Sequence, residues 1–142
     1  MEFQNPSDSR IHEILSQPTT VAVVGCSDSP ARDSLSIAKL LKSHGFRVIP
    51  VNPQLGPRAL IKELGEKCYP DLASIPDPVE IVDVFRRSEF LPEIAEAAIA
   101  KGARILWCQL GVIHSQAAAR AQKAGMTVIM DRCPAIEYRR LF

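Results

Sequence analysis

A chain of 142 residues, 46% hydrophobic and 23% charged, has the size and composition of one ordinary folded domain and not of a disordered or membrane protein. Its formal net charge of +1 offers no global attraction to nucleic acid or to an anionic membrane, so any anion must be bound by local arginines. No apolar run approaches the ~20 residues of a membrane span, and the opening MEFQNPSDSR has no signal-peptide core, which makes the cytosol the expected compartment.

In chain order, an amphipathic helix carrying Ile11, Ile14 and Leu15 comes first and is stopped by Pro18; residues 1–18 are expected to pack on the outside of the domain. A buried strand over Thr20 to Val24 follows, then a polar turn and a helix over about Ser34 to His44 with Ile37, Leu40 and Leu41 on one face. The stretches SHGFRVIPV, AKGARILWC and KAGMTVIMD share one grammar. In each, a glycine (Gly45, Gly102, Gly125) ends an apolar-periodic segment and a short β-branched run begins. They give helices over Pro92 to Lys101 and Ser115 to Ala124. The strands are Arg47 to Val51, Glu80 to Phe85, Arg104 to Trp107 and Thr127 to Met130. Gln54 to Pro78, rich in proline and glycine, is the least legible part: a short helix over Ala59 to Leu64, or a turn and a short edge strand near Cys68.

The strands are near-continuous apolar runs, as parallel strands covered on both faces require. Their alternation with helices predicts a doubly wound, mostly parallel α/β sheet of five or six strands with helices on both faces, in one domain. In such sheets ligands lie beyond the carboxyl ends of the strands, where the strand order reverses. The residues leaving the strands are Gly25-Cys26-Ser27, Asn52-Pro53, Arg86-Arg87-Ser88, Cys108-Gln109-Leu110-Gly111 and Asp131-Arg132-Cys133-Pro134. If the first strand lies beside Ile81 to Phe85, Ser27 and Arg86 face one crevice.

The turn VAVVGCSDSPARDS stands where a dinucleotide fingerprint would have three glycines, and it has only Gly25. Asn52-Pro53 occupies the place where an acid would grip a free ribose diol. Arg32, Arg86 and Arg87 instead offer forks that match phosphate oxygens, and a helix N-terminus with Ser27 and Ser34 adds donors. The expected ligand carries more phosphate than NAD. Bland readings stand beside these: Ser34 as a helix cap, the arginine pair as a solvated surface, Pro53 and Pro134 as strand terminators, Trp107 as core. His12, His44 and His114 have no partner in a catalytic motif, the sequence has no metal-ligand spacing, and the four cysteines lie far apart with no C-x-x-C pair.

VAVVGCS, PARDS, VIPVNP, VDVFRRSE, WCQLGV and MDRCPAIE, in that order, closely resemble the small single-domain CoA-binding proteins. More distantly they are similar to the CoA-binding domain of the succinyl-CoA synthetase α subunit. The likeness runs from Thr20 to Glu137. It implies a Rossmann-like CoA-binding domain whose nucleotide site falls on Gly25, Cys26, Ser27 and Arg32, on Val51, Asn52 and Pro53, and on Phe85, Arg86, Arg87 and Ser88. Gln109, Leu110 and Gly111 complete it, with Cys133 and Pro134 at its border. Coenzyme A, or an acyl-CoA, is the implied ligand, bound through its 3′-phospho-ADP portion; its 3′-phosphate calls for cations and leaves no free diol.

Cys26 stands where the family usually has alanine. The synthetase's ligation chemistry resides partly in a second domain with a phosphorylated histidine, and the sixth motif ends close to Phe142, so binding without catalysis is the expectation. Two alternatives remain: a redox or acyl-transfer enzyme using Cys26 or Cys133, and a CoA-sensing module for an unknown protein partner. Cys26, Cys108 and Cys133 each follow a strand, and Cys26, next to a helix N-terminus and Arg32, is the expected reactive thiol.

Overall fold

The computed structural model describes residues 2–29, 31–55 and 60–142. Pro30, in the second motif, and Ala59, at the start of the expected Ala59–Leu64 helix, lie outside the described residues. The elements in order are α1 (Asp8–Ser16), β1 (Thr20–Val24), α2 (Asp33–Ser43), β2 (Arg47–Val51), β3 (Leu60–Ile61), β4 (Glu66–Lys67), β5 (Ile81–Val84), a 3-10 turn (Ser88–Phe90), α3 (Leu91–Lys101), β6 (Ile105–Cys108), α4 (Ser115–Lys123), β7 (Thr127–Ile129) and α5 (Pro134–Leu141). Five strands form one parallel sheet in the order β2-β1-β5-β6-β7. The register sets Val23 beside Pro50 and Asp83, and Asp83 beside Trp107.

Side chains alternate across the sheet with period two, so each strand feeds two cores. Ala22, Val24, Val82, Val84, Leu106 and Val128 join the buried faces of α3 and α4 on one side. Val21, Val23, Ile81, Trp107 and Ile129 meet α1, α2 and α5 on the other. Burial on both faces is why the strand sequences are continuous apolar runs. The alanines of α4, with Ala117, Ala118 and Ala121 buried, let its backbone come close to the sheet.

Of the two readings left open for Gln54 to Pro78, the turn with a short strand near Cys68 is the one found: the segment 60–67 is an antiparallel hairpin of two-residue strands, with Tyr69 then bridging in parallel to Val51. Two differences from the sequence reading have physical causes. Ser34 is not the cap of α2: Arg32 holds that position, and Ser34 lies buried in the first turn. The sequence reading contained no C-terminal helix, yet α5 is a full element with Pro134 at its first turn, a place where proline's missing N–H costs nothing. Its inward residues are Glu137 and Tyr138. Arg140 grips Glu137 and also Asp8 at the start of α1, and Tyr138 donates to Leu15 O, so the two terminal helices are fastened together.

At the other margin of the sheet, the segment before α1 lies along β7. Asn5 donates from Nδ2 to Met130 O at 2.9 Å and accepts the Met130 N–H on Oδ1 at 2.7 Å, while Phe3 packs against the core. No described helix is long and apolar enough to cross a membrane.

Candidate functional site

β1 and β5 are neighbours, but the chain leaves them in opposite directions, through α2 to β2 on one side and through α3 to β6 on the other. Parting loops above adjacent parallel strands leave a crevice. Here it is an open cleft of about 900 Å³, a size typical of ligand sites. Gly25, Ser27, Ala31 and Arg32 wall it from the β1 loop, and Asp33 and Ser34 from the first turn of α2. Asn52, Gln54 and Leu55 follow β2, and Phe85, Arg86, Arg87 and Phe90 follow β5. Among the described residues three arginines share the cleft with one carboxylate, Asp33, which makes these walls electropositive.

Gly25 makes the floor. Its N–H donates to Val51 O at 2.7 Å and its φ is +88°. A Cβ there would stand 2.6 Å from Phe85 O and 3.1 Å from Arg86 Cδ, so the Arg86 stem lies across the glycine. The Arg86 guanidinium then rests over the Phe90 ring, 4.3 Å from its centroid. Arg87 sits 5.5 Å from the same ring and pairs with Glu89 at 3.2 Å, an exposed pair worth little. Among the described residues, neither Arg32 nor Arg86 has a carboxylate partner.

The serines that replace glycines tie the loop to itself. Ser34 Oγ accepts the Ser27 N–H at 2.9 Å, Ser27 Oγ accepts the Ser29 N–H at 3.0 Å, and Ser29 Oγ accepts the Ala31 N–H at 3.4 Å. Arg32, at the N-cap, has no acceptor to lay over the first turn of α2, so the positive end of that helix receives no side-chain cap from it. Asn52 donates from Nδ2 to Cys26 O at 3.0 Å and accepts the Gln54 N–H at 2.9 Å. Its amide is spent on joining two loops.

Cys26 departs from the expectation of a reactive thiol. Its side chain is fully buried in the core with Leu35 and Cys68, and burial pushes the thiol up to about 12. A thiolate is therefore not formed near neutral pH. Cys108 is buried on the other face and also pushed up to about 12, and Cys68 is buried and raised. Cys133, half-buried at the N-cap of α5, is the one cysteine that is not buried. We expect one thiol to react quickly with Ellman's reagent in the native protein and the other three only on unfolding, with Cys133→Ser removing the fast phase. Fast labelling of Cys26, read by peptide mass, would contradict the burial.

The structure brings together Gly25, Ser27, Arg32, Ser34, Asn52, Phe85, Arg86 and Arg87 from the sequence-based set. It does not bring the others to these walls. Val51 is buried and gives the floor only its carbonyl, and Pro53 is exposed outside the lining. Ser88 accepts the Ile113 N–H at 2.9 Å and donates to Gly111 O at 3.1 Å, stitching two loops together. Gln109 is buried, Leu110 is exposed, Gly111 donates its N–H to Asp131, and Cys133 and Pro134 open α5.

Sequence reasoning missed Ala31, Asp33, Gln54, Leu55 and Phe90 as wall residues; for Phe90 a signal existed in the Arg-Arg-x-x-Phe spacing, which one tight helical turn folds back on itself. His114 is the N-cap of α4, accepting the Ala117 N–H on Nδ1 at 3.1 Å.

Asp83 was also missed. It lies mid-strand in β5, 1% exposed. Oδ1 accepts from Gln109 Nε2 at 2.9 Å, and Oδ2 has no partner. Burial raises its carboxyl to about 7, against the opposing pull of the Gln109 bond.

With this geometry in hand, the profile of a family described as "CoA binding domain" matches residues 19–139. The chain is 42% identical over 131 residues to the protein YneT of Bacillus subtilis, covering 92% of this chain and 93% of that protein. A solved structure of a hypothetical protein from Pyrococcus horikoshii superposes with a TM-score of 0.87 at 38% identity, over 99% of both chains. The α subunit of acetate–CoA ligase (ADP-forming) I of Pyrococcus furiosus is 28% identical over 129 residues, which are 82% of this chain but 28% of that subunit.

Proposed function

The chain belongs to the CoA binding domain family, and from that premise we propose that the cleft between the β1 and β5 loops holds the 3′-phospho-ADP portion of coenzyme A or of a CoA thioester, without chemistry of its own. The observation that carries this is Arg86. Its guanidinium lies in the cleft against an aromatic face, with no carboxylate partner among the described residues. An arginine left unpaired in a concave site is an anion receptor in waiting, because its fork matches phosphate oxygens. Arg32 on the facing wall and the N-terminus of α2 add to the same field. A carboxylate at the end of β2 would select a free ribose diol, and that place holds Asn52, whose amide is already engaged. A passive role is supported by the walls themselves: the thiol of Cys26 is under the floor, and Ser34 Oγ serves the backbone of Ser27.

The test is calorimetry with three ligands and one variant. CoA is expected to bind about tenfold to a hundredfold more tightly than dephospho-CoA, the worth of one charge-assisted phosphate contact, and NAD to bind least. Arg86→Ala is expected to cost CoA affinity by a similar factor with little change in the Tm of the free protein. Equal affinities for CoA and dephospho-CoA would remove the 3′-phosphate from the reading, and a sharp drop in Tm with unchanged affinity would make Arg86 structural.

A further inference from the structure

The loop leaving β5 carries two arginines and one carboxylate close together, Arg86, Arg87 and Glu89, and only the cations reach the cleft. Arg86, Arg87 and Phe90 line it, and Glu89 does not. Three residues is the spacing at which opposite charges meet on a helix, so a loop that coiled from Arg86 onward would set Glu89 against Arg86. Arg87 breaks that register. Its backbone is extended, at φ −58° and ψ 149°, and the 3-10 turn begins only after it, at Ser88. Phe90 then donates its N–H back to Arg87 O at 2.9 Å, which closes the turn. One ring thus serves both guanidiniums, its centroid 4.3 Å from that of Arg86 and 5.5 Å from that of Arg87. The carboxylate goes with Arg87, Glu89 Oε1 lying 3.2 Å from Arg87 Nε.

We propose that Arg87 and Phe90 are positioning residues for Arg86: Arg87 holds Glu89 outside the cleft, and the Phe90 ring holds the Arg86 guanidinium in place without neutralising it, so that its donors stay open to a phosphate. The proposal rests on the reading of the cleft as a CoA site and deepens it. The Arg-Arg pair, two phosphate forks in the sequence reading, divides into one receptor and one residue that keeps the receptor free.

The two kinds of partner open to Arg86 differ in what they leave available. An aromatic face attracts a cation through its quadrupole and leaves the edge of the guanidinium, where the N–H groups point, unoccupied. A carboxylate engages that edge bidentately, and a phosphate would first have to displace it. Both members of the Arg87–Glu89 pair are exposed, so the pair adds little to stability. Without Arg87, however, the Glu89 side chain is free to turn to the other guanidinium on the same ring. The near end of the Arg86 side chain is fixed as well, since its Cδ lies 3.1 Å from where a Cβ on Gly25 would stand. Stem on glycine and fork on ring set the direction of the donors before any ligand arrives.

The experiment is CoA calorimetry on double-mutant cycles, with NMR of the Arg86 side-chain N–H in the ligand-free protein. Phe90→Leu and Arg87→Ala are each expected to weaken CoA binding about twofold to fivefold, the worth of one exposed cation–π contact or ion pair. In an Arg86→Ala background both are expected to cost nothing further, because they act through the guanidinium that is gone. Phe90→Tyr keeps the ring and is expected to keep the affinity that Phe90→Leu loses, and adding Glu89→Gln to Arg87→Ala is expected to restore what Arg87→Ala loses. Losses that persist in the Arg86→Ala background overturn the proposal, since Arg87 then acts on the ligand by itself, and so does a loss that Glu89→Gln leaves in place. Arg87 is exposed, so its cycle stays readable should Phe90→Leu fail to fold. In the free protein the ring face is expected to shift the Arg86 N–H upfield, Phe90→Leu to abolish that shift, and Arg87→Ala to move the signal downfield as Glu89 takes the fork. A signal that neither substitution moves overturns the positioning. A wild type that binds no CoA defeats the proposed function instead, and the ligand-free spectra then decide the positioning alone.

Discussion

Gly25→Ala is expected to lower the unfolding free energy by about 3 kcal/mol, on the order of 10 °C in Tm, and to abolish tight CoA binding. Two costs add. A Cβ at φ +88° is strained by about 1 kcal/mol or more, and it would stand 2.6 Å from the Phe85 carbonyl oxygen, a backbone atom that cannot step aside as a side chain would. Relief requires the β1 and β5 ends to spread, an overpacking that costs about 1–3 kcal/mol. The same spreading displaces Arg86, whose stem crosses the glycine. Gly102 is the control: it ends α3 at φ +82° with nothing within 4 Å of an added Cβ, so Gly102→Ala should lose only the conformational part, about 1 kcal/mol. Equal losses by thermal melting would show that the close approach at Gly25 is not costly.

Asp83→Asn is expected to stabilise the protein at pH 8 by as much as about 4 kcal/mol and to leave it nearly unchanged at pH 4. The carboxyl titrates at about 7 in the fold and at about 3.8 in the open chain, so between those values the folded state binds the extra proton. Stability therefore falls as pH rises through that window, by about 1.4 kcal/mol for each tenfold drop in proton concentration. An asparagine has no such proton to lose, and it keeps an oxygen for Gln109. Asp8, held below the usual carboxylate range by Arg140, acts in the opposite direction, with stability lost as pH falls; it is present in both proteins and drops out of the difference. Urea unfolding at pH 4, 6 and 8 checks this, and parallel curves for the two proteins would mean that Asp83 is not neutral in the fold near pH 6.

What the sequence disclosed follows from where its signals are strong. β1 and β2 match the sequence reading residue for residue because β-branched runs there are bounded by Pro18-Thr19, Gly45-Phe46 and Asn52-Pro53. The crevice was legible because strand ends and strand order decide where loops part, and Ser27 and Arg86 do line one cleft. α5 was not legible because its buried residues are Pro134, Glu137 and Tyr138, and a proline and a charged residue break the apolar period; the buried Glu137 is paired with Arg140. β3 and β4 are too short for any period to show. Cys26 misled because proximity in sequence to a helix start says nothing of which way a side chain turns, and here it turns into the core. Asp83 was hidden inside a strand, since IVDV reads as apolar and no pattern tells a buried acid from a solvated one.

The segment that lies along β7 matters beyond local packing. A sheet ends in strands with unpaired N–H and C=O groups, a template on which other chains can pair and aggregate. Here β7 is three residues long, and just past its end the Asn5 amide imitates a neighbouring strand by taking both groups of Met130. At the opposite margin β2 carries Pro50, which has no N–H to offer, and Tyr69 closes the rung at Val51. Both margins are thus blunted by means that cost little chain, and copies of this protein that meet in concentrated solution find few backbone groups to add a strand to, so their association has to be made by side chains.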